Sequence, residues 1–145
     1  MTRINAGIPV SVLSDQHLLA EHRETKRIPN TRFKSSIPKH FTLGSGHVLF
    51  FSDKRSYTLN RYMDIHNECI RRGFRVGDYS GSWKNSMEHD NPFVPTSEDT
   101  KTVVDRIVSN TIKSKQIPRH CGVVIGKDQY IDMVKSIINV NDKIL

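Results

Sequence analysis

The chain has 145 residues, a formal net charge of +7 and 36% hydrophobic residues. That length suits one domain with a single core, and the hydrophobic content excludes a wholly disordered chain. No apolar run approaches the roughly 18 residues of a bilayer-spanning helix, and the start lacks the apolar stretch of a signal peptide. Two cysteines, Cys69 and Cys121, make no disulfide framework, so a reducing intracellular compartment is expected. The charge is uneven. Residues 1–40 carry seven Lys/Arg against three Asp/Glu, 41–75 six against three, and 101–145 eight against four, whereas 76–100 carry one against five. A basic body with one acidic segment points to a DNA-facing surface and a separate solvated one.

In chain order, the first helix is predicted from Ser14 or Asp15 to about Ile28. Ser14 caps it, and Pro29 ends it, because residues before proline avoid the helical region. His17, Glu21 and Glu24 recur on one face of that helix. Residues 29–46 read as a basic loop. The apolar run Val48 to Phe51 is too short for periodicity to decide between strand and helix. A second helix is predicted over Tyr57–Arg72, with Tyr62, Ile65, His66, Cys69 and Ile70 as its apolar stripe and Gly73 as a left-handed cap. Residues 75–95 read as a long polar connection. A third helix opens on Thr96-Ser97-Glu98-Asp99, a capping box with Asp in place of Glu. Its apolar face is Val103, Val104, Ile107, Val108 and Ile112. A glycine-bounded piece, Gly122 to Gly126, precedes a last helix over Asp128–Asn139 that buries Tyr130, Ile131, Val134, Ile137 and Ile138. The fold class is therefore all-α: three main helices with long loops, plus an extra C-terminal helix.

One position carries candidate chemistry on its own. A small residue after the initiator Met permits its removal, which leaves a free α-amine on Thr2. With a reference pKa near 8, this amine is neutral more often than a lysine, and the cations Arg3 and Arg23 favour its neutral form further. A neutral amine attacks an electrophilic sugar carbon and forms a Schiff base. Glu24 supplies a carboxylate at helical spacing from basic residues. The amine has an ordinary reading beside the catalytic one, since any chain has an N-terminus; Glu24 beside Arg23 and Arg27 reads, on its own, as a surface ion pair worth about 0–1 kcal/mol. His66 with Cys69, and His120 with Cys121, match no common zinc spacing, so no metal site is expected.

The run Asp15-Gln16-His17-Leu18-Leu19-Ala20-Glu21-His22-Arg23-Glu24, after Met1-Thr2-Arg3-Ile4-Asn5, resembles the pyrimidine-dimer DNA glycosylase/AP lyase family. Two further blocks resemble it in order: Phe41-Thr42-Leu43-Gly44-Ser45-Gly46-His47-Val48 with Phe50-Phe51 and Asp53-Lys54, and Glu68-Cys69-Ile70-Arg71-Arg72-Gly73-Phe74. The resemblance implies that Thr2 supplies the amine nucleophile and Glu24 the carboxylate that stabilises the cationic sugar. It implies that Arg3, Arg23, Lys26, Arg27 and Arg119 contact DNA and that His17 supports the pocket. It further implies no metal or organic cofactor, a monomer, and a double-stranded DNA partner bearing damaged bases or abasic sites, with no membrane association. The likeness covers about residues 1–75. From about 118 to 145 the chain diverges: the family's aromatic and basic C-terminal segment is replaced around Gln116–Val124, and an apolar helix follows. The sequence is thus expected to be one glycosylase/lyase domain, acting on cyclobutane pyrimidine dimers. An abasic-site lyase, a glycosylase for another modified base and a non-catalytic DNA-binding protein of the same fold stay open.

Overall fold

A computed structural model describes residues 4–31, 37–84 and 90–144, with side chains described as far as residue 138. Its contacts fall into two units, one of residues 1–4 and 20–94, the other of residues 5–19 and 95–145. The described residues form helices α1 (Asp15–Thr25), α2 (His47–Phe51), α3 (Arg55–Arg71), α4 (Ser97–Lys113) and α5 (Lys127–Ile144), with short strands β1 (Arg119–His120) and β2 (Val123–Val124). The fold is all-α, as the sequence predicts. Among the described residues no helix is long and apolar enough to cross a membrane.

Helix α1 starts where its capping residue requires. The Ser14 hydroxyl accepts the His17 N–H at 3.2 Å, satisfying one of the orphan donors of the first turn. It ends at Thr25 rather than at Ile28. Continued helix would drive the Pro29 ring into the Thr25 carbonyl, so the chain tightens into a 3₁₀ turn over Ile28–Asn30.

In the first unit, the ambiguous run around Val48 resolves as helix α2, entered from a 3₁₀ turn over Gly44–Gly46. Phe50 and Phe51 are buried and pack edge-on against Phe41 and Phe93. Helix α3 closes as expected on Gly73, at φ +86°. The Gly73 N–H reaches the Ile70 carbonyl and the Phe74 N–H the Cys69 carbonyl, both at 2.9 Å, the two bonds of a Schellman cap. Tyr62, Ile65 and Cys69 are buried, but Ile70 is 52% exposed and Glu68 lies inside instead. Glu68 tolerates that position because Arg71 Nε donates to it at 2.7 Å and Arg72 Nε at 2.8 Å. The polar connection after α3 also contributes to the core: Trp83 is 1% exposed and its indole N–H donates to Thr58 Oγ1 at 3.1 Å. Glu21 and Arg61 form a buried two-point pair, Nε–Oε2 at 2.7 Å and Nη2–Oε1 at 3.1 Å.

In the second unit, α4 opens on the expected capping box. The Asp99 N–H donates to Thr96 Oγ1 at 3.1 Å and the Thr96 N–H to Asp99 Oδ2 at 3.0 Å. Val103, Val104 and Ile107 are buried, while Ile112 is 62% exposed. Thr111 takes the buried position because its hydroxyl finds the Ile107 carbonyl at 2.8 Å. Strands β1 and β2 pair antiparallel, Arg119 with Val124 and His120 with Val123. The two-residue turn has positive φ at both Cys121 (52°) and Gly122 (80°), as a type I′ hairpin needs. Helix α5 extends five residues beyond the predicted Asn139; Tyr130 and Val134 are buried, and Ile131, Ile137 and Ile138 are half-buried.

The start of α1 is tied to this hairpin and helix. The Asp15 carboxylate accepts the N–H groups of Cys121 and Gly122 at 2.9 and 2.8 Å. The Gln16 amide donates to the Ile117 carbonyl and accepts from the Arg119 N–H at 2.8 and 3.0 Å. Gly7, at φ +81°, packs so closely on Thr100 that a Cβ would lie 2.1 Å from its Oγ1.

Replacing Glu21 by Gln leaves the Arg61 charge buried without its counter-charge, so Glu21→Gln is expected to cost about 3–5 kcal/mol in urea unfolding. Glu68 yields a pH signature. Hydrogen bonds from Arg71 and then Arg72 hold its carboxyl at about 2, below an ordinary 4.5. A depressed native pKa stabilises the fold above pH 4.5 and loses that contribution as pH falls towards 2. The stability gap between the wild type and Glu68→Gln, measured by denaturant titration at successive pH values, is expected to be full at pH 7 and to shrink steadily between those limits.

Candidate active site

The last turn of α1 carries Glu24, whose side chain is 12% exposed. The C-terminal end of a helix has partial negative charge and disfavours a carboxylate, so Glu24 needs cations close by. Arg27 Nη1 lies 3.0 Å from Glu24 Oε2, and Arg23 Nε lies 3.8 Å from Oε1. The two arginine side chains are 65% (Arg23) and 58% (Arg27) exposed, which leaves faces of both guanidiniums open to an anionic ligand. Lys26, just past the end of α1, sits 4.2 Å above the ring of Tyr79, a solvent-accessible aromatic. These four predicted residues are therefore neighbours along one stretch of the first unit. Glu21 is not part of that group; its carboxylate is held by Arg61.

Behind this turn lies a polar cluster not foreseen in the sequence. His22 Nε2 is 3.1 Å from His66 Nδ1 and 3.2 Å from the Tyr62 hydroxyl. The Tyr62 hydroxyl also accepts the Tyr79 N–H at 2.8 Å. Burial pushes the His22 imidazole below its ordinary 6.5, with the nearby charges of His66 and Lys26 acting in the same direction. The cluster ties α1, α3 and the segment around Tyr79 together beneath the Glu24 turn.

Thr2 and Arg3 lie outside the described residues. Ile4, the first described residue, is fully buried, and its N–H donates to His47 Nε2 at 2.8 Å. His17 and Arg119 belong to the second unit. His17 Nδ1 is 2.7 Å from the Tyr130 hydroxyl, which also accepts the Ser14 N–H at 3.1 Å. Arg119 opens strand β1 with its side chain exposed. Asn5, also in that unit, accepts Arg106 Nη2 at 2.9 Å through its side-chain oxygen.

The positive charge is only partly available to a ligand. Lys54, Arg55 and Arg61 are buried. Arg55 donates to the carbonyls of Ser52 and Ile28. Lys54 pairs with Asp53 and lies 4.3 Å over the Phe50 ring. Counting charges along residues 41–75 therefore overstates the basic surface there. Among the described residues no group of three or more His, Cys, Asp and Glu is arranged to hold a metal ion. The pairs considered in the sequence are engaged elsewhere: His66 with His22, and His120 Nε2 with the Ser11 carbonyl at 2.7 Å.

A half-buried carboxylate between two open guanidiniums is suited to a substrate that is anionic and becomes cationic at its reacting carbon. A nucleic acid that loses a base answers to both conditions. Residues 1–79, more than half of the chain, match the family model for pyrimidine dimer DNA glycosylase, and the chain belongs to that family of DNA-repair enzymes.

Proposed function

We propose that the protein is a DNA glycosylase with abasic-site lyase activity on cyclobutane pyrimidine dimers in double-stranded DNA, acting as a monomer through the α-amine of Thr2 after loss of Met1. The observation that carries this reading is Glu24, a carboxylate 12% exposed and held between Arg23 and Arg27. The amine attacks the sugar C1′, a nitrogen–carbon bond forms, and the glycosidic bond breaks with its electron pair leaving on the base. Ring opening gives a protonated imine. Glu24 stabilises the positive charge that develops on the sugar and assists removal of a C2′ proton. Elimination then breaks the C3′–oxygen bond, and the 3′ phosphate departs with that electron pair.

Arg3, Arg23, Lys26, Arg27 and Arg119 take the DNA contacts in this reading. The guanidinium fork suits phosphate oxygens, and the exposure of Arg23 and Arg27 supports their part. Reaching C1′ requires a nucleotide to be displaced from the stack at a cost of a few kcal/mol, which is lowest at a damaged pair. The resemblance in Met1-Thr2-Arg3-Ile4-Asn5 and in Asp15–Glu24 supports the assignment of the amine, the carboxylate and His17. The family match ends at residue 79. The remainder of the chain, Arg119 included, is where the lesion preference differs if another modified base or a bare abasic site is the substrate.

Incubation of the processed protein with duplexes holding a defined dimer or an abasic site, in the presence of borohydride, is expected to yield a covalent adduct with both, mapped by mass spectrometry to Thr2. An adduct with abasic DNA alone would mark an abasic-site lyase, and none with either would leave a DNA-binding protein. Glu24→Gln is expected to lower the single-turnover rate of base release by about 10²–10³ while duplex affinity changes little; an active Glu24→Gln enzyme would remove the carboxylate from this role.

A further inference from the structure

We infer that His47 is a positioning residue for the N-terminal amine: it fixes the main chain at Ile4, two residues from Thr2. The inference rests on the Schiff-base reading above. His47 opens α2 and is 1% exposed. Its Nδ1 lies 3.0 Å from the Thr42 carbonyl, and a carbonyl only accepts, so Nδ1 carries the proton. Its Nε2 lies 2.8 Å from the Ile4 nitrogen, and an amide N–H only donates, so Nε2 offers a lone pair. Two main-chain partners thus select a neutral ring and one tautomer. The ring itself is held edge-on by Phe41 and Phe51, at centroid distances of 5.8 and 5.1 Å.

Ile4 is consequently fixed twice, by its amide on His47 and by its fully buried side chain. Residues 2 and 3 are all that separates this fixed point from the α-amine of Thr2. A chain end is ordinarily the most mobile part of a domain. A nucleophile there has a low effective concentration at its target unless the chain behind it is anchored. His47 provides that anchor from within the aromatic cluster of the first unit, with no need to touch the substrate.

The test compares His47→Phe with His47→Gln. Phenylalanine keeps the ring packing and has no acceptor; glutamine places a carbonyl oxygen where Nε2 was. With saturating abasic duplex and confirmed removal of Met1, the single-turnover rate of borohydride trapping is expected to fall about tenfold or more in His47→Phe. Half-saturation is expected to move by less than about twofold, and His47→Gln to recover most of the rate. Equal trapping rates in wild type and His47→Phe would overturn the inference, as would equal losses in both variants that follow their losses of stability. No adduct in the wild type would overturn the Schiff-base reading itself. Should His47→Phe not fold, nitrogen NMR of the wild type decides: a proton on Nε2, or no coupling across the hydrogen bond to the Ile4 amide, would overturn the anchor.

Discussion

The contact between Glu21 and Arg61 governs the first unit. Two charges lie inside, each held by two hydrogen bonds to the other, so neither helix can rotate or slide without separating them in a medium of low dielectric constant. Helix α1 is thereby locked in azimuth against α3. Three residues further along α1, nearly one turn, Glu24 emerges on the partly open side, and the next turn presents Arg27. His22, one position after Glu21, is directed by the same rotation towards Tyr62 and His66. The orientation of the candidate carboxylate therefore depends on a pair that lies outside the group around Glu24.

Features whose chemistry is local were legible in the sequence. Ser14 caps α1, Gly73 closes α3 and Thr96 with Asp99 opens α4, because each depends on residues within five positions of one another. Features decided by a distant partner were not. Ile70 and Ile112 satisfy the apolar period yet lie outside, since the arginines beside Glu68 and the carbonyl above Thr111 make those polar residues acceptable inside. Trp83 sits in a stretch of polar composition, and only its packing on Tyr62 and Thr58 shows why it is there.

The candidate site divides in the same way. Glu24, Arg23, Lys26 and Arg27 are close in sequence, and one helical turn suffices to gather them. His47 acts on a main-chain amide 43 residues away, and no side-chain pattern encodes a bond to backbone. Its presence in the second block that resembles the family was the available signal. The charge count misled for a related reason. A guanidinium that closes a helix end from inside, as Arg55 does, cannot be distinguished by composition from one that faces a ligand.

The bonds from residues 11–17 to residues 117–130 bear on how the chain is made. Ser14, Asp15, Gln16, His17 and Ser11 find partners between 101 and 116 positions downstream. During synthesis, at about 5–20 residues per second, the beginning of α1 leaves the ribosome many seconds before the hairpin and α5 exist. Asp15 and Gln16 lack these partners in that interval. Such long closures slow folding, so the second unit cannot be completed before residues 117–130 are made, and a chain stalled between residues 80 and 116 holds the whole family-matched segment without the partners of its first helical turn.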